Sequence, residues 1–424
     1  MGRLAINLDA LRASRDFRLL AIGQVVSGLG TQAALVAVPY QVFVLTRSAG
    51  LVGLIGAAEL GPMIVVSLLG GAVADRIDRR ALLLAAQIAT IVAAGVLATI
   101  TFAGRPAVLL VFVLAGLLAG GSSLQLTAQS SIVPGLVGDR LRSALAFNFG
   151  SYQLTGIIGP ALGGLTIAAF GVGAAYTVDV VSCLALVAAA LAIGPQRPTG
   201  RVGDHDPILA SIREGLRFVR SNNALLGSFV IDLVAMTFGM PRALFAVLSL
   251  TVYHAGAGGA GLLYAAVAAG ATIAAVTTGW LERARRLGRI VVFAVLAWGA
   301  AIAAAGLVGS IWAAAGLLAL AGAADSVSAV CRSTINQTVT PDAMRGRMSS
   351  VFGLVATGGV RLGDIEAGGV ASLTSARTSV FSGGLACIVG VGLVVLAFPS
   401  LVAYDGGDRT TLEPAAVVEE AGAV

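Results

Sequence analysis

Twelve long apolar segments alternate with short polar stretches along the chain. About twenty apolar residues suffice to cross a bilayer as one helix. The pattern therefore predicts an all-α membrane protein with twelve transmembrane helices. Their approximate bounds are 18–45, 49–74, 81–103, 107–133, 144–170, 174–194, 223–253, 259–281, 290–308, 311–335, 348–372 and 379–401. Several exceed the minimum length, which permits tilt.

The longest polar break lies at 195–222 and separates six apolar segments from six. We expect a first six-helix bundle at 1–194, a cytoplasmic linker at 195–222, a second bundle at 223–401 and a disordered tail at 402–424. The second part of the linker has apolar and Arg positions on opposite faces. Asp206 can cap this helix and Pro207 suits its first position. Such a helix lies flat on the inner leaflet.

Two short motifs recur with the same offset of 205 residues. The triplet "RLR" at 140–142 recurs as "RGR" at 345–347, and "GG" at 163–164 recurs at 368–369. Each pair joins a basic loop to a Gly-rich point in the following helix. Parallel repeats of six spans are typical of the major facilitator architecture. The repeat therefore favours two pseudo-symmetric halves.

Composition agrees with a lipid-facing surface. The chain is 57% hydrophobic and 11% charged, against about 25% charged in soluble domains. With the N-terminus inside, most Arg lie in or beside cytoplasmic segments, and only Arg47, Arg105 and Arg377 fall outside. This positive-inside bias predicts that both termini are cytoplasmic. It also explains the net charge of +6 without a nucleic-acid partner.

The cysteines and histidines form no metal-binding pattern. The three Cys lie singly in apolar runs, and neither of the two His is near another ligand type. We therefore expect inert buried thiols, no metal and no cofactor.

One loop concentrates charge in a chain that is otherwise nearly uncharged. The stretch 71–83, "GAVADRIDRRALL", resembles the major facilitator loop signature G-x-x-x-D-R-x-G-R-R. The matching residues are Gly71, Asp75, Arg76, Arg79 and Arg80. Asp78 stands where the signature prefers Gly. The resemblance implies that Asp75 faces the N-terminal end of the eleventh span and helps lock the two halves on the inner side. The alternative is a simple positive-inside anchor.

A second motif, "GPALGG" at 159–164, lies in the fifth segment. It resembles the antiporter signature of the same superfamily, with its core G-P-x-x-G-G. The matching residues are Gly159, Pro160, Gly163 and Gly164. Thr155 stands where a further Gly is usual. Pro160 permits a bend, and the two glycines four apart permit close helix packing. Ordinary packing without an antiport role is the alternative.

Charges inside the spans are candidates for function, because unpaired charges are costly in a bilayer. Burial disfavours the ionised carboxylate, so such groups can take up protons. The proton-coupling candidates are Glu59, Asp232 and Asp364. A local Arg361–Asp364 ion pair is the alternative for the last. Near the ends of spans, we expect Asp179 to be solvated and Arg332 to snorkel.

Other polar residues in the spans could line a substrate cavity between the halves. The candidates are Gln24, Gln32, Tyr152, Arg242 and Arg361. The two Arg would attract an anionic or oxygen-rich ligand. The alternative for each uncharged residue is an interhelical hydrogen bond.

Several segments also resemble the bacterial enterobactin (siderophore) exporter family. They are "VADRIDRRALLLA" at 73–85, "GLLYAAVAAGATIAAVTTG" at 261–279, "QTVTPDAMRGRMSSVFGL" at 337–354 and "GDIEAGGV" at 363–370. The resemblance implies proton-driven export of a siderophore from cytoplasm to periplasm. Arg242 and Asp364 fall where that family also carries charge, whereas Glu59 is particular to this sequence. The implied partners are the inner-membrane bilayer, protons and a small molecule, with a monomeric protein.

Two other functions remain open from the sequence. Exporters of macrolides and other drugs share these motifs, so a broad drug efflux pump is the first alternative. A polytopic membrane enzyme or receptor would need a catalytic constellation or a large extramembrane domain. We see neither, and therefore expect a transporter rather than an enzyme.

Overall fold

The computed structural model describes residues 9–74, 76–104, 106–196, 208–341 and 344–405, and the regular structure in these ranges is helical. The α-helices are α1 (Asp9–Ala13), α2 (Arg15–Thr46), α3 (Ala49–Ala74), α4 (Arg79–Phe102), α5 (Val108–Val137), α6 (Leu141–Phe170), α7 (Val172–Ala192), α8 (Ile208–Ser221), α9 (Asn223–Phe238), α10 (Leu244–Thr251), α11 (Gly256–Thr277), α12 (Leu287–Leu307), α13 (Ile311–Val339), α14 (Arg345–Leu373), α15 (Ala376–Ala397) and α16 (Pro399–Ala403).

Polar side chains at helix starts set several boundaries. Ser14 accepts a hydrogen bond from the backbone N–H of Phe17 and begins α2. Asn222 caps α9 in the same way. Each cap satisfies one of the N–H groups that the first helical turn leaves without a partner. The starts of these helices are therefore specified by polar residues next to them in the sequence.

Nine helical stretches of the described chain are long and apolar enough to cross a membrane, or ten if α8 and α9 form one bent span. That count takes Val108–Phe170 as one stretch, although it contains both α5 and α6. It omits α14, which carries charges at 361, 364 and 366. The all-α membrane class is confirmed. If Val108–Phe170 is divided into its two helices and α14 is added, the count of ten becomes twelve. Twelve spans stay a prediction.

The seventh predicted span, 223–253, is not the continuous helix that its apolar run suggested. The chain breaks between Phe238 and Leu244, where Pro241 cannot donate a backbone hydrogen bond. Two buried side chains satisfy backbone groups at the break. Trp298 donates from its indole N–H to the Gly239 carbonyl at 2.8 Å, and the Ala243 N–H donates to Asp364 at 3.0 Å. Irregular backbone within a membrane protein needs such internal partners.

The linker contains the amphipathic helix that its sequence predicts. α8 ends at Ser221, and its Arg213–Ser221 part makes an angle of 112° with α9. Val219 of α8 is buried against Leu225, Phe229 and Met348. This contact fixes α8 to the second bundle. The predicted cap Asp206 and first-turn Pro207 lie outside the described residues.

Both described chain ends lie at one end of the bundle, here called the terminal end. The Ala10 N–H approaches the Ser143 hydroxyl near the start of α6. The Tyr404 hydroxyl lies 2.7 Å from the Thr338 hydroxyl near the end of α13. The opposite end is called the far end. The predicted domain boundaries stay predictions within this arrangement.

The most extensive contacts between the halves join α3 with α14 and α6 with α11. Their closest contacts are at the far end. A Cβ on Gly368 of α14 would lie 2.5 Å from the Gly53 Cα of α3. A Cβ on Gly164 of α6 would lie 3.1 Å from the Gly261 Cα of α11. Nearer the terminal end of α3, a Cβ on Gly61 would meet nothing within 4 Å. The closest contacts between the halves therefore lie at the far end, although Gln153 of α6 still reaches Thr272 of α11 at 3.5 Å nearer the terminal end.

Candidate functional site

A cavity of about 420 Å³ lies below the far-end contacts. Helices of the first half form most of its wall, and the α9–α10 break, α11 and α14 complete it. All of the predicted cavity residues line it, namely Gln24, Gln32, Tyr152, Arg242 and Arg361. The cavity also has many apolar side chains. A concave, mostly apolar site with a few converging polar groups is typical of small-molecule binding.

An ion pair joins the two halves inside this cavity. Arg361 of α14 lies 2.5 Å from the Glu59 carboxylate of α3. The same guanidinium nitrogen lies 3.4 Å from the Asp364 carboxylate one turn along α14. The Glu59 and Asp364 side chains are only 11% and 6% exposed. The local Arg361–Asp364 pair therefore exists, and Glu59 extends it across the interface.

The backbone around the α9–α10 break holds this charged group in place. Asp364 accepts the Ala243 N–H, which fixes its carboxylate. Tyr264 of α11 donates its hydroxyl to the Arg242 carbonyl at 2.9 Å. The Arg242 guanidinium lines the cavity and forms no ion pair with another described residue. It is thus a cation available to an oxygen-rich ligand.

Asp232, the third predicted proton-coupling residue, lies in a separate buried group. Its carboxylate is 2.8 Å from Arg332 of α13. Asp325 lies 3.8 Å from the same guanidinium, and Ser328 accepts a hydrogen bond from it at 2.8 Å. None of these residues is among those lining the cavity. This group joins α9 to α13 within the second half.

Two expectations about exposed charges are wrong. Arg332 is 2% exposed, because Asp232 gives it a buried partner and it has no need to snorkel. Asp179 is fully buried rather than solvated. Its position eight residues into α7 faces α2, whose Thr31 donates to it at 3.1 Å. The distance of a residue from a helix end did not indicate which helix would cover it.

The loop signature is only partly described: Gly71 lies in the last turn of α3, and Asp75 lies outside the described residues. Arg79 donates to the Ser131 carbonyl at 2.9 Å, and Arg80 donates to the Leu191 carbonyl at 3.0 Å. Both acceptors belong to the first half. Arg76 is exposed. The lock between the halves thus stays a prediction.

Asp78, the departure from the signature, caps a helix. Its carboxylate accepts the Arg80 N–H and the Gln196 N–H, both at 2.9 Å. It therefore begins α4 and also fixes the chain that leaves α7. A carboxylate performs both tasks where the usual Gly could perform neither.

The second motif packs α6 on two sides. A Cβ on Gly159 would meet the Leu29 carbonyl of α2 at 3.1 Å, and one on Gly163 would meet the Ala33 Cα at 2.7 Å. Gly164 and the Pro160 carbonyl instead face Gly261 of α11 in the other half. The spacing of the glycines thus predicts the close approach to α2. The antiport role of the motif stays a prediction.

Sequence reasoning missed how several residues combine. It gave no partner for Glu59, and it did not anticipate the buried Asp179 or the role of Trp298 at the helix break. Pro241 and Gly239 were the available signal for that break. Within the described residues, no group of three His, Cys, Asp or Glu side chains could hold a metal ion.

A helical membrane bundle with a central cavity and an ion pair between its two halves is the arrangement expected of a major facilitator transporter. Solved structures of transporters have the same fold. A variant of the nucleoside transporter NupG superposes with a TM-score of 0.73 at 11% identity, covering 92% of this chain and 99% of that one. A bacterial homolog of the human lysosomal transporter Spinster, inward-facing and unoccupied, gives 0.69 at 13% identity, covering 94% and 97%. At these identities the likeness shows the fold alone.

Sequence relatives narrow the class to exporters. Enterobactin exporter EntS of Shigella boydii is 28% identical over 393 residues, which is 92% of this chain and 93% of that protein. EntS of Citrobacter koseri is 29% identical over 394 residues with the same coverage. Residues 8–420 match the transmembrane secretion effector family, and the chain belongs to that family. It is a multi-pass membrane transporter and exporter of small molecules, not an enzyme.

Proposed function

We propose that this exporter exchanges protons for a catecholate siderophore by alternating access. It would lie in the inner membrane as a monomer with both termini in the cytoplasm. The Glu59–Arg361 ion pair carries the proposal, because it joins the halves, lines the cavity and contains an ionisable carboxylate. The named relatives support the siderophore as cargo.

Proton and cargo would compete for the same carboxylates. A catechol presents hydroxyl donors, which suit ionised Glu59 and Asp364, and oxygen acceptors, which suit Arg242 and Arg361. Protonation of Glu59 removes an acceptor for the cargo and the charge that attracts Arg361. A proton from the periplasm would therefore favour release of the cargo. When the far end closes again, the approach of Arg361 would expel that proton toward the cytoplasm.

Reconstitution tests the proposal directly. Proteoliposomes that contain the purified chain should move a catecholate siderophore against its own concentration gradient when protons are driven in the direction opposite to export. Collapse of the gradient with a protonophore should stop net movement while cargo exchange continues. Siderophore movement that ignores the proton gradient would reject the coupling.

The apolar lining favours a broad drug efflux pump as a second candidate. Ile55, Met63 and Leu118 line the same cavity as the charged group, and apolar walls bind chemically unlike drugs. This candidate requires that deletion change resistance to several unrelated compounds while siderophore secretion is unaffected. Secretion profiling of a deletion strain alongside a drug panel separates the two functions.

The loop signature would provide the inner lock. Asp75 would face the positive N-terminal end of the eleventh predicted span when the terminal end closes. We expect Asp75→Asn to insert normally and to reduce transport severely. Asp139→Asn, an exposed carboxylate at the same end, is the matched control. If Asp75→Asn transports at the wild-type rate, the loop is not a lock and serves only as a positive-inside anchor.

A further inference from the structure

We propose that Asp179 is a second proton-binding site, separate from the group of Glu59, Arg361 and Asp364. Asp179 is 0% exposed and is among the residues that line the cavity. Its Oδ1 accepts from the Thr31 hydroxyl at 3.1 Å and from the Cys183 thiol at 3.6 Å. Its Oδ2 is buried without a hydrogen-bond partner.

The absence of a counterion distinguishes this carboxylate from the other buried acids. Glu59, Asp232 and Asp364 each lie within ion-pair distance of an Arg. Across the described residues, no such pair forms at Asp179. An isolated ionised carboxylate costs so much in a low-dielectric interior that it neutralises instead. Asp179 therefore holds a proton on Oδ2 in the state shown here.

The helices packed against Asp179 bring no other charge to it. α7 packs on α2, α4 and α6. The titratable groups that face it are Cys183 and Tyr176, both on α7 itself. Tyr176 donates its hydroxyl to Gln41 at 2.7 Å and is thereby occupied. On the cavity side, Tyr152, Arg242 and Arg361 line the same space without an ion pair to Asp179 in the described structure.

The site can also stabilise the ionised form for part of a cycle. The Thr31 hydroxyl and the Cys183 thiol are both donors, and the Ser27 hydroxyl lies 3.6 Å from that thiol. When the carboxylic acid releases its proton to cavity water, these donors remain on Oδ1 of the resulting carboxylate. α2 closes the site on the other side, since a Cβ on Gly30 would lie 2.9 Å from the Asp179 Cα. Proton exchange is therefore assigned to the cavity side, where Asp179 is among the lining residues.

A proton fits the site better than a cationic cargo group. Oδ2 is buried in the protein, so an ammonium on a larger molecule has no approach to it. A proton needs no such space. The proposal adds a second proton to the exchange of protons for cargo. That addition rests on the proposed proton-driven export, whereas proton binding at Asp179 itself does not.

Infrared spectroscopy of the purified full-length chain tests the site without any transport. The wild type should show a protonated-carboxyl band at neutral pH that Asp179→Asn removes. Asp139→Asn, which changes an exposed acid, should keep it. If Asp179→Asn folds poorly, Thr31→Val serves instead: with one donor to the carboxylate lost, the band should persist to higher pH. Spectra in which neither variant changes any protonated-carboxyl band from acid to alkaline pH would overturn the proposal.

Proton counting and cation binding complete the test. In proteoliposomes that transport, Asp179→Asn should move fewer protons per cargo molecule than the wild type, while an equal ratio would contradict a second site. Tetraphenylphosphonium binding that Asp179→Asn abolishes would also overturn it, because the residue would then serve an organic cation. If the wild type transports nothing, the proposed function fails and the infrared result still decides the proton site.

Discussion

At the scale of single residues, the informative feature is the partner of each buried charge. Glu59 pairs across the interface, Asp232 pairs within one half and Asp179 has no cation. Composition alone treats these three acids alike. We therefore propose that one serves coupling, one stability and one proton storage, because a buried charge is governed by what faces it.

Replacement of Glu59 should separate exchange from coupling. Glu59→Gln keeps the shape of the side chain and cannot ionise, so cargo should still exchange while accumulation driven by a proton gradient is lost. Counterflow and gradient-driven uptake in the same proteoliposome preparation measure both. Asp139→Asn should retain both activities. Full gradient-driven accumulation by Glu59→Gln would show that Glu59 is not the coupling group.

The Asp232–Arg332 pair should matter for stability rather than coupling. Asp232→Asn leaves a buried Arg without its closest partner, and such a loss typically costs about 3–5 kcal/mol. Thermal unfolding in detergent should show a large decrease in melting temperature. The double variant Asp232→Asn with Arg332→Gln should lose less, since the buried Arg is gone and Asp325, which loses its cation, is partly exposed. It should retain proton-driven transport. Loss of coupling in a stable double variant would instead restore Asp232 as a proton carrier.

At the scale of helices, glycine contacts determine where the halves can touch. Gly53 and Gly368 bring α3 and α14 together, while Gly164 and Gly261 bring α6 and α11 together. The two "GG" pairs offset by 205 residues lie on α6 and α14, but their contacts differ: Gly163 packs on α2 of its own half, whereas Gly368 packs on α3 of the other half. The α3–α14 contact lies beside the interface ion pair, since a Cβ on Gly53 would be 2.5 Å from the Asp364 carbonyl oxygen.

A side chain at Gly368 should force the far end open. Its Cβ would meet α3 backbone at 2.5–2.8 Å, and overpacking of this kind costs about 1–3 kcal/mol. That shifts the population of the closed state by about tenfold for each 1.4 kcal/mol. A Cys at buried Val52 should then react faster with an impermeant thiol reagent in Gly368→Val. Gly369→Val is the control, since a Cβ there meets nothing within 4 Å. Equal rates in the two variants would contradict the far-end closure.

At the scale of the whole molecule, much of the architecture could be predicted from the sequence. Apolar length identified the membrane helices, and the longest break contained the amphipathic helix α8. The orientation that the Arg distribution indicates stays a prediction. These features depend on local composition. The cavity residues could also be predicted, because polar side chains in apolar helices have few places to lie.

The pairings could not be predicted, because they depend on how distant helices approach. Glu59 and Arg361 are far apart in sequence and meet only because α3 crosses α14. The burial of Asp179 depends on α2, and that of Arg332 depends on α9. The α9–α10 break was hidden by the apolar residues on both sides of it. Its stability comes from Trp298 and Asp364, which belong to other helices.

The central claim is that a proton-sensitive ion pair helps hold the two halves together at the far end. Spin labels at Leu45→Cys and Leu373→Cys, in a chain lacking its three native cysteines, report this distance by pulsed electron resonance. Both positions are exposed on opposite halves. The wild type should shift toward longer distances on acidification, and Glu59→Gln should show the longer distances already at neutral pH. Distance distributions that are the same for both proteins at every pH would contradict the account.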